Sequence, residues 1–118
     1  MKRVAFAMLM LGAALAPPAH AEVFDGRWSV LVITDRGACD RGYRYEVAVA
    51  EGRVTYIGGA AVRVAGTVAP NGAVNVSIRS GRQIANGLGR LSAGAGTGTW
   101  QGQGNAGACS GHWEAERR

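Results

Sequence analysis

The stretch Cys109-Ser-Gly-His-Trp113 lies near the end of the sequence and joins the two signals that decide the fold. It holds the second of two cysteines and the third of three Gly-x-Trp units, the others being Gly26-Arg-Trp28 and Gly98-Thr-Trp100. Residues two apart on a strand share a face, so each glycine lies beside its own indole on one side of a sheet. A bulky ring next to a position without a side chain suits the inside of a small, tightly curved sheet. The stretch reads as the closing strand of a small β-barrel.

Working outward from it, the same period of two recurs along the chain. From Phe24 to Thr34, Phe24, Gly26, Trp28, Val30 and Val32 share one face, while Asp25, Arg27 and Ser29 share the other. Asp35 to Gly42 is polar, carries Cys39 and reads as a loop. Tyr43, Tyr45, Val47 and Val49 then alternate with Arg44 and Glu46. Glu51-Gly52 marks a tight turn into Arg53–Ile57, with Val54 and Tyr56 inward. After Gly58-Gly59, the residues Val62, Val64, Gly66 and Val68 alternate with Arg63, Ala65 and Thr67. Pro70-Asn71-Gly72 is the strongest hairpin signal, because Asn-Gly tolerates the positive φ of a two-residue turn. Val74, Val76 and Ile78 answer it. Gln83–Ser92 admits two phases, and the one that puts Ala85, Gly87, Gly89 and Leu91 inward sets small residues opposite the tryptophans. Gly96–Gly102 follows around Trp100, and Asn105-Ala-Gly107 leads into the last strand.

Eight short strands spaced by roughly 10 residues, with no helical period after residue 21, point to an all-β up-and-down barrel or a β-sandwich. Two cysteines in an exported chain usually pair. In a closed meander the first strand runs antiparallel to the eighth, so the end of one meets the start of the other. Cys39 follows the end of the first strand and Cys109 opens the eighth. A bridge between them fits closure of an eight-stranded antiparallel barrel, and a Greek-key sandwich is the alternative.

The chain opens with Met1-Lys2-Arg3, an apolar run from Val4 to Ala16, and Pro17-Pro18-Ala19-His20-Ala21. A basic start, a short apolar run and a small-x-small ending form the pattern of a signal peptide cleaved after Ala21. The run is too short for a membrane anchor, which needs about 20 apolar residues. Residues 1–21 are thus expected to be a signal-peptide helix and 22–118 one barrel domain, periplasmic or extracellular. That domain carries 11 arginines against 8 carboxylates, a mild excess with no basic stripe. This pattern argues against a nucleic-acid partner. An outer-membrane barrel is also disfavoured, since the face opposite the valines carries Arg27, Arg44, Glu46, Arg63 and Arg79.

Chemistry-bearing clusters are sparse. The Gly-rich region from Gly87 to Gly107 lacks the helix and Gly-Lys-Ser/Thr of a phosphate loop. After cleavage His112 is the remaining histidine, outward by phase beside Glu114. One histidine cannot form a typical zinc site; a haem ligand stays open, with neither a Cys-x-x-Cys-His attachment site nor a methionine partner beside it. Asp25, Asp35 and Asp40 could orient a histidine, but no nucleophile is marked. The expectation is no enzyme, no metal and no cofactor. The aromatic set Trp28, Trp100, Trp113, Tyr43, Tyr45 and Tyr56 is the candidate ligand-binding group: these rings either fill the interior or line a cavity mouth.

The frame of Phe24-Asp-Gly-Arg-Trp-Ser-Val, the cysteine loop, Tyr43-Arg-Tyr, Gly96-Thr-Gly-Thr-Trp-Gln-Gly and Cys109-Ser-Gly-His-Trp-Glu-Ala-Glu-Arg-Arg resembles a family of small exported bacterial β-barrel proteins. Some of these carry a label of haem utilisation or adhesion. In architecture the chain is also similar to bacterial protease and lysozyme inhibitors and to avidin-like binders, which is analogy of fold. The expected role is a non-enzymatic binding module of the cell envelope for a protein or a small ligand. The alternatives are an inhibitor of an exported hydrolase, using the loop Asp35–Gly42, and a structural or adhesive surface protein. The exported product should begin at Glu22, and intact mass of the secreted or periplasmic material checks this. A membrane-retained product still carrying Met1 would contradict it.

Overall fold

The computed structural model describes residues 23–118; the expected signal segment 1–21 and its helix lie outside them. Eight strands follow in order: β1 (Gly26–Arg36), β2 (Gly42–Ala50), β3 (Arg53–Tyr56), β4 (Arg63–Val68), β5 (Ala73–Ser80), β6 (Gln83–Leu91), β7 (Ala95–Gly104) and β8 (Gly107–Arg117). Each pairs with the next, and β8 returns to β1 to close the barrel. The β1–β8 ladder sets Trp28 opposite Arg117, Val30 opposite Ala115 and Val32 opposite Trp113. All eight pairings are antiparallel. The sandwich alternative is thereby excluded.

The alternation read from the sequence sorts the two faces. Inside lie Trp28, Val47, Val49, Val54, Val68, Leu91, Trp113 and Ala115, all buried. Outside, Arg27, Arg44, Arg63 and Arg79 are exposed. Strand β6 takes the phase with Gly87 and Leu91 inward, and Leu88 points out with 59% of its surface exposed. Glycine is required here by the ring opposite. The Trp113 indole lies across Gly98 and Gly89, and a methyl group on either would overlap its six-membered ring. A Cβ at Gly98 would also run into the Leu88 carbonyl oxygen, which the β6–β7 ladder holds in place.

Three local features differ from the sequence reading. The first strand does not stop at Thr34. It continues to Arg36 through a register shift, so Asp35 is the extra residue of a bulge and not a loop residue. Phe24 is not a strand residue. It sits in a turn before β1, buried, and its carbonyl accepts the Trp28 Nε1–H bond at 2.9 Å. The Pro70-Asn71-Gly72 hairpin is not a two-residue turn. Pro70 fixes a negative φ at the second position of the turn Ala69–Gly72, so Gly72 takes the positive φ of 93° and Asn71 does not. The Asn71 side chain instead accepts from the Ala73 amide. A tighter turn forms at Glu51-Gly52, where both residues have positive φ, 52° and 78°.

The barrel ends are unlike. At one end Phe24 and Leu91 are buried in one cluster with Trp28. Arg117 projects inward there, its guanidinium 4.6 Å from the Trp28 ring. It donates to the carbonyls of Val23, Asp25 and Ala93. At the other end the β1–β2 loop is stapled by a Cys39–Cys109 disulfide with a Cα–Cα distance of 6.1 Å. In the chain-entropy model, closing the 70-residue separation contributes about 4 kcal/mol.

The substitution Gly98→Ala forces the Trp113 ring and the β6–β7 ladder apart and should destabilise the domain by about 1–3 kcal/mol in urea unfolding. Unchanged stability would show that the ring does not rest on this glycine.

Candidate ligand cavity

Above the packed floor the interior is not filled. A cavity of about 340 Å³ runs down from the disulfide end, at the lower bound of pockets that hold small molecules. Its wall follows from the inward positions of successive strands: Val30 and Val32 of β1, Val64 of β4, Val76 and Ile78 of β5. These valines are β-branched residues suited to a curved sheet, and they are small enough to leave the upper half open. Asp40, Ser80, Gln83 and Asn105 stand at the rim.

The six aromatic candidates separate by depth. Trp28 is 1% exposed and forms part of the floor. Trp113 is 5% exposed and lies on the wall at mid-depth. Trp100 is half-buried on the wall, and its Nε1–H donates to the Ile33 carbonyl at 2.9 Å. That bond reaches across β8 because Gly111 has no side chain to block it. Tyr43 and Tyr45 line the mouth, stacked with ring centroids 5.8 Å apart. Tyr56 meets Tyr45 edge-on at 6.0 Å, but its ring lies over Gly58 and does not line the cavity.

The stapled loop shapes the mouth. Thr34, buried at the top of β1, donates its hydroxyl hydrogen to the Asp40 carbonyl, and its amide bonds the Arg41 carbonyl. Gly37 presses against Ala108 and Cys109, and Cys39 donates its amide to the Cys109 sulfur at 3.2 Å. Ala38, Cys39 and Asp40 thereby reach the cavity edge. Asp40 acts on the tyrosines: a hydrogen bond to it, and then its charge, raise the Tyr43 phenol above its ordinary value. For Tyr45 burial is the larger cause of an upward shift, followed by the neighbouring phenols and Asp40.

Two residues escaped the sequence reading. Arg117 lies two and four positions beyond Ala115 and Trp113, so the same alternation that placed those residues inside places it inside too. His112 is outward, as its phase requires, but its partner is Asp35 and not Glu114. The bulge aims the Asp35 carboxylate at His112 Nδ1, 2.7 Å away. Their side chains are 41% and 52% exposed, and an exposed pair of this kind contributes roughly 0–1 kcal/mol. Only a bulge visible in the register could reveal it.

No protein-family model, curated protein or solved structure matches this chain.

The phenol shifts carry a testable consequence. Raising pH should ionise Tyr43 and Tyr45 above the ordinary phenol range, because Asp40 and burial favour the protonated forms. Asp40→Asn should bring the Tyr43 step back down toward that range, read as phenolate absorbance. Identical titrations of the two proteins would show that Asp40 does not act on Tyr43.

Proposed function

We propose that this chain is an exported, non-enzymatic carrier that holds a small, mostly apolar molecule inside its barrel. The observation that carries the reading is the cavity open at the disulfide end, walled by valines and aromatic rings over a closed floor. Transfer of apolar surface into such a site is favourable, and a preformed pocket spares the cost of ordering loops around the ligand. A disulfide between Cys39 and Cys109 is compatible with an oxidising compartment, in agreement with the signal pattern at residues 1–21.

The inhibitor alternative calls for a loop that projects into an enzyme cleft. Residues Gly37–Arg41 instead lie back on the start of β8, tied by the staple and by Thr34. A purely structural role would leave the cavity unexplained, since filling it with larger side chains would stabilise the barrel.

The neutral dye N-phenyl-1-naphthylamine tests the carrier reading with the domain 22–118. Saturable binding with an enhanced, blue-shifted emission is expected. Ile78→Trp, which places a ring in the upper cavity, should weaken binding by about tenfold or more. Leu88→Trp on the outer wall should leave it unchanged. Absence of dye binding, or equal loss in the two variants, would overturn the reading.

A further inference from the structure

Two of the three indoles give their N–H to a backbone carbonyl, and the third does not. Trp28 gives its hydrogen to the Phe24 carbonyl and Trp100 gives its own to the Ile33 carbonyl, each at 2.9 Å. Trp113 Nε1 is buried and, among the described residues, meets no acceptor. A buried donor left unpaired is costly, and native proteins leave few of them. The ring cannot turn away to find a partner. It rests on Gly98 and Gly89, where its Cε2–Cζ2 edge fills the space that side chains would otherwise occupy. Its nitrogen edge lies on the Gly87 side, beside Val76, and both residues line the cavity. Since β6 runs from the disulfide end at Gln83 to the floor at Leu91, Gly87 is nearer the opening than Gly89. The free N–H is therefore on the open-end side of the ring, at mid-depth.

Water is a poor occupant of that position. A buried water needs two to four polar partners. The neighbours here are the Val76 side chain, the Gly87 backbone and the Thr99 carbonyl, and these backbone groups lie in the ladders of β5 to β8. A single acceptor on an otherwise apolar molecule matches the site better.

The charge of that acceptor is also constrained. Among the described residues no lysine or arginine lines the cavity, and the one charged residue at its rim is Asp40. Arg117 is held beneath the floor by three carbonyls and the Trp28 ring. A carboxylate inside would be buried without a counter-charge and would pass a like charge on entry. A primary or secondary amide or an alcohol would bring a donor of its own, which the valine walls beside Trp113 cannot satisfy.

We infer that the cavity selects a neutral, mostly apolar molecule bearing one acceptor-only oxygen, a ketone or ester carbonyl, which takes a hydrogen bond from Trp113 Nε1. The inference rests on the carrier reading above and gives it a ligand chemistry. Floor residues Val49, Val54, Val68 and Leu91 contact the apolar part below the carbonyl, and Val32, Ile78 and Tyr45 the part above it.

Hexanophenone and hexylbenzene share one carbon skeleton and differ by a carbonyl in place of a methylene. Each is titrated against bound N-phenyl-1-naphthylamine in the wild-type domain and in Trp113→Phe, which keeps an aromatic ring and removes the donor. The variant should lose about tenfold in affinity for the ketone and less than about twofold for the hydrocarbon, since a net hydrogen bond is lost in one case alone. A second readout is independent of the variant's folding. In the wild-type domain labelled at its indole nitrogens, hexanophenone should move the Trp113 Nε1–H resonance downfield and leave those of Trp28 and Trp100 in place, while hexylbenzene should not produce the downfield shift. Equal losses for both probes, or no ketone-specific shift, would overturn the hydrogen-bond assignment and leave an apolar carrier standing. Displacement of the dye by neither probe would overturn the ligand class while the dye still shows a working cavity. Failure of the dye itself to bind would remove both.

Discussion

Everything in this molecule depends on β8 pairing with β1. Until that ladder forms, the sheet has two open edges and a concave face with no lid. Once it forms, both edges vanish and the inward rows of all eight strands face a common interior. The ladder spans Trp28–Arg117 to Arg36–Ser110, so β1 contributes nearly its whole length. The same pairing brings the floor together, because it places Arg117 beside Trp28. At the opposite end it brings the β1–β2 loop within reach of Cys109. The disulfide ties chain segments 70 residues apart at the seam where the sheet closes.

Closure by itself fills only half the barrel. The floor uses large residues: Trp28, Phe24 and Leu91 are buried there with Val49, Val54 and Val68, and the Arg117 guanidinium stacks on the Trp28 ring. Trp113 adds a ring on the wall, made possible by two glycines beneath it. Above this level the inward positions are mostly valines, half-buried Tyr45 and small residues of β6 and β7. They do not meet across the lumen, and a cavity of about 340 Å³ remains. The contrast is one of side-chain volume along the strands. It gives the molecule a stable end and a receptive end.

Much of this was legible in the residues themselves. Strict alternation in β1, β2, β4 and β5 fixed which face is inside, and the Gly-x-Trp units marked the rings, although Gly98 makes room for Trp113 and Gly111 for Trp100, each on the neighbouring strand. The cysteine positions favoured a closed meander over a sandwich, because first-to-last pairing brings the two residues together simply, and the strand order decided it. What stayed hidden depends on contacts between distant segments. Asp35 was read as a loop residue because a bulge is invisible until the register of β1 against β8 is known. Asn71-Gly72 was read as a two-residue turn, but Pro70 before it imposes another backbone geometry. Arg117 is an inward charge, tolerable because three carbonyls and an indole receive it, and none of these partners is near it in sequence. For the aromatic candidates the sequence offered filling or lining as alternatives. Trp28 fills, Trp100, Trp113, Tyr43 and Tyr45 line, and Tyr56 does neither. That division follows from depth in the barrel, which alternation does not encode.

The central claim is that the disulfide half of the barrel encloses open, apolar, accessible space. Xenon is small, uncharged and partitions into such spaces irrespective of their biological ligand. The most direct measurement is the response of valine methyl resonances of the domain 22–118 to dissolved xenon. The account predicts concentration-dependent shifts at Val30, Val64 and Val76 with a saturable profile, larger than any at the outer-wall residue Leu88. Methyl resonances that respond no more inside the barrel than outside would contradict it, because the interior would then be closed or collapsed.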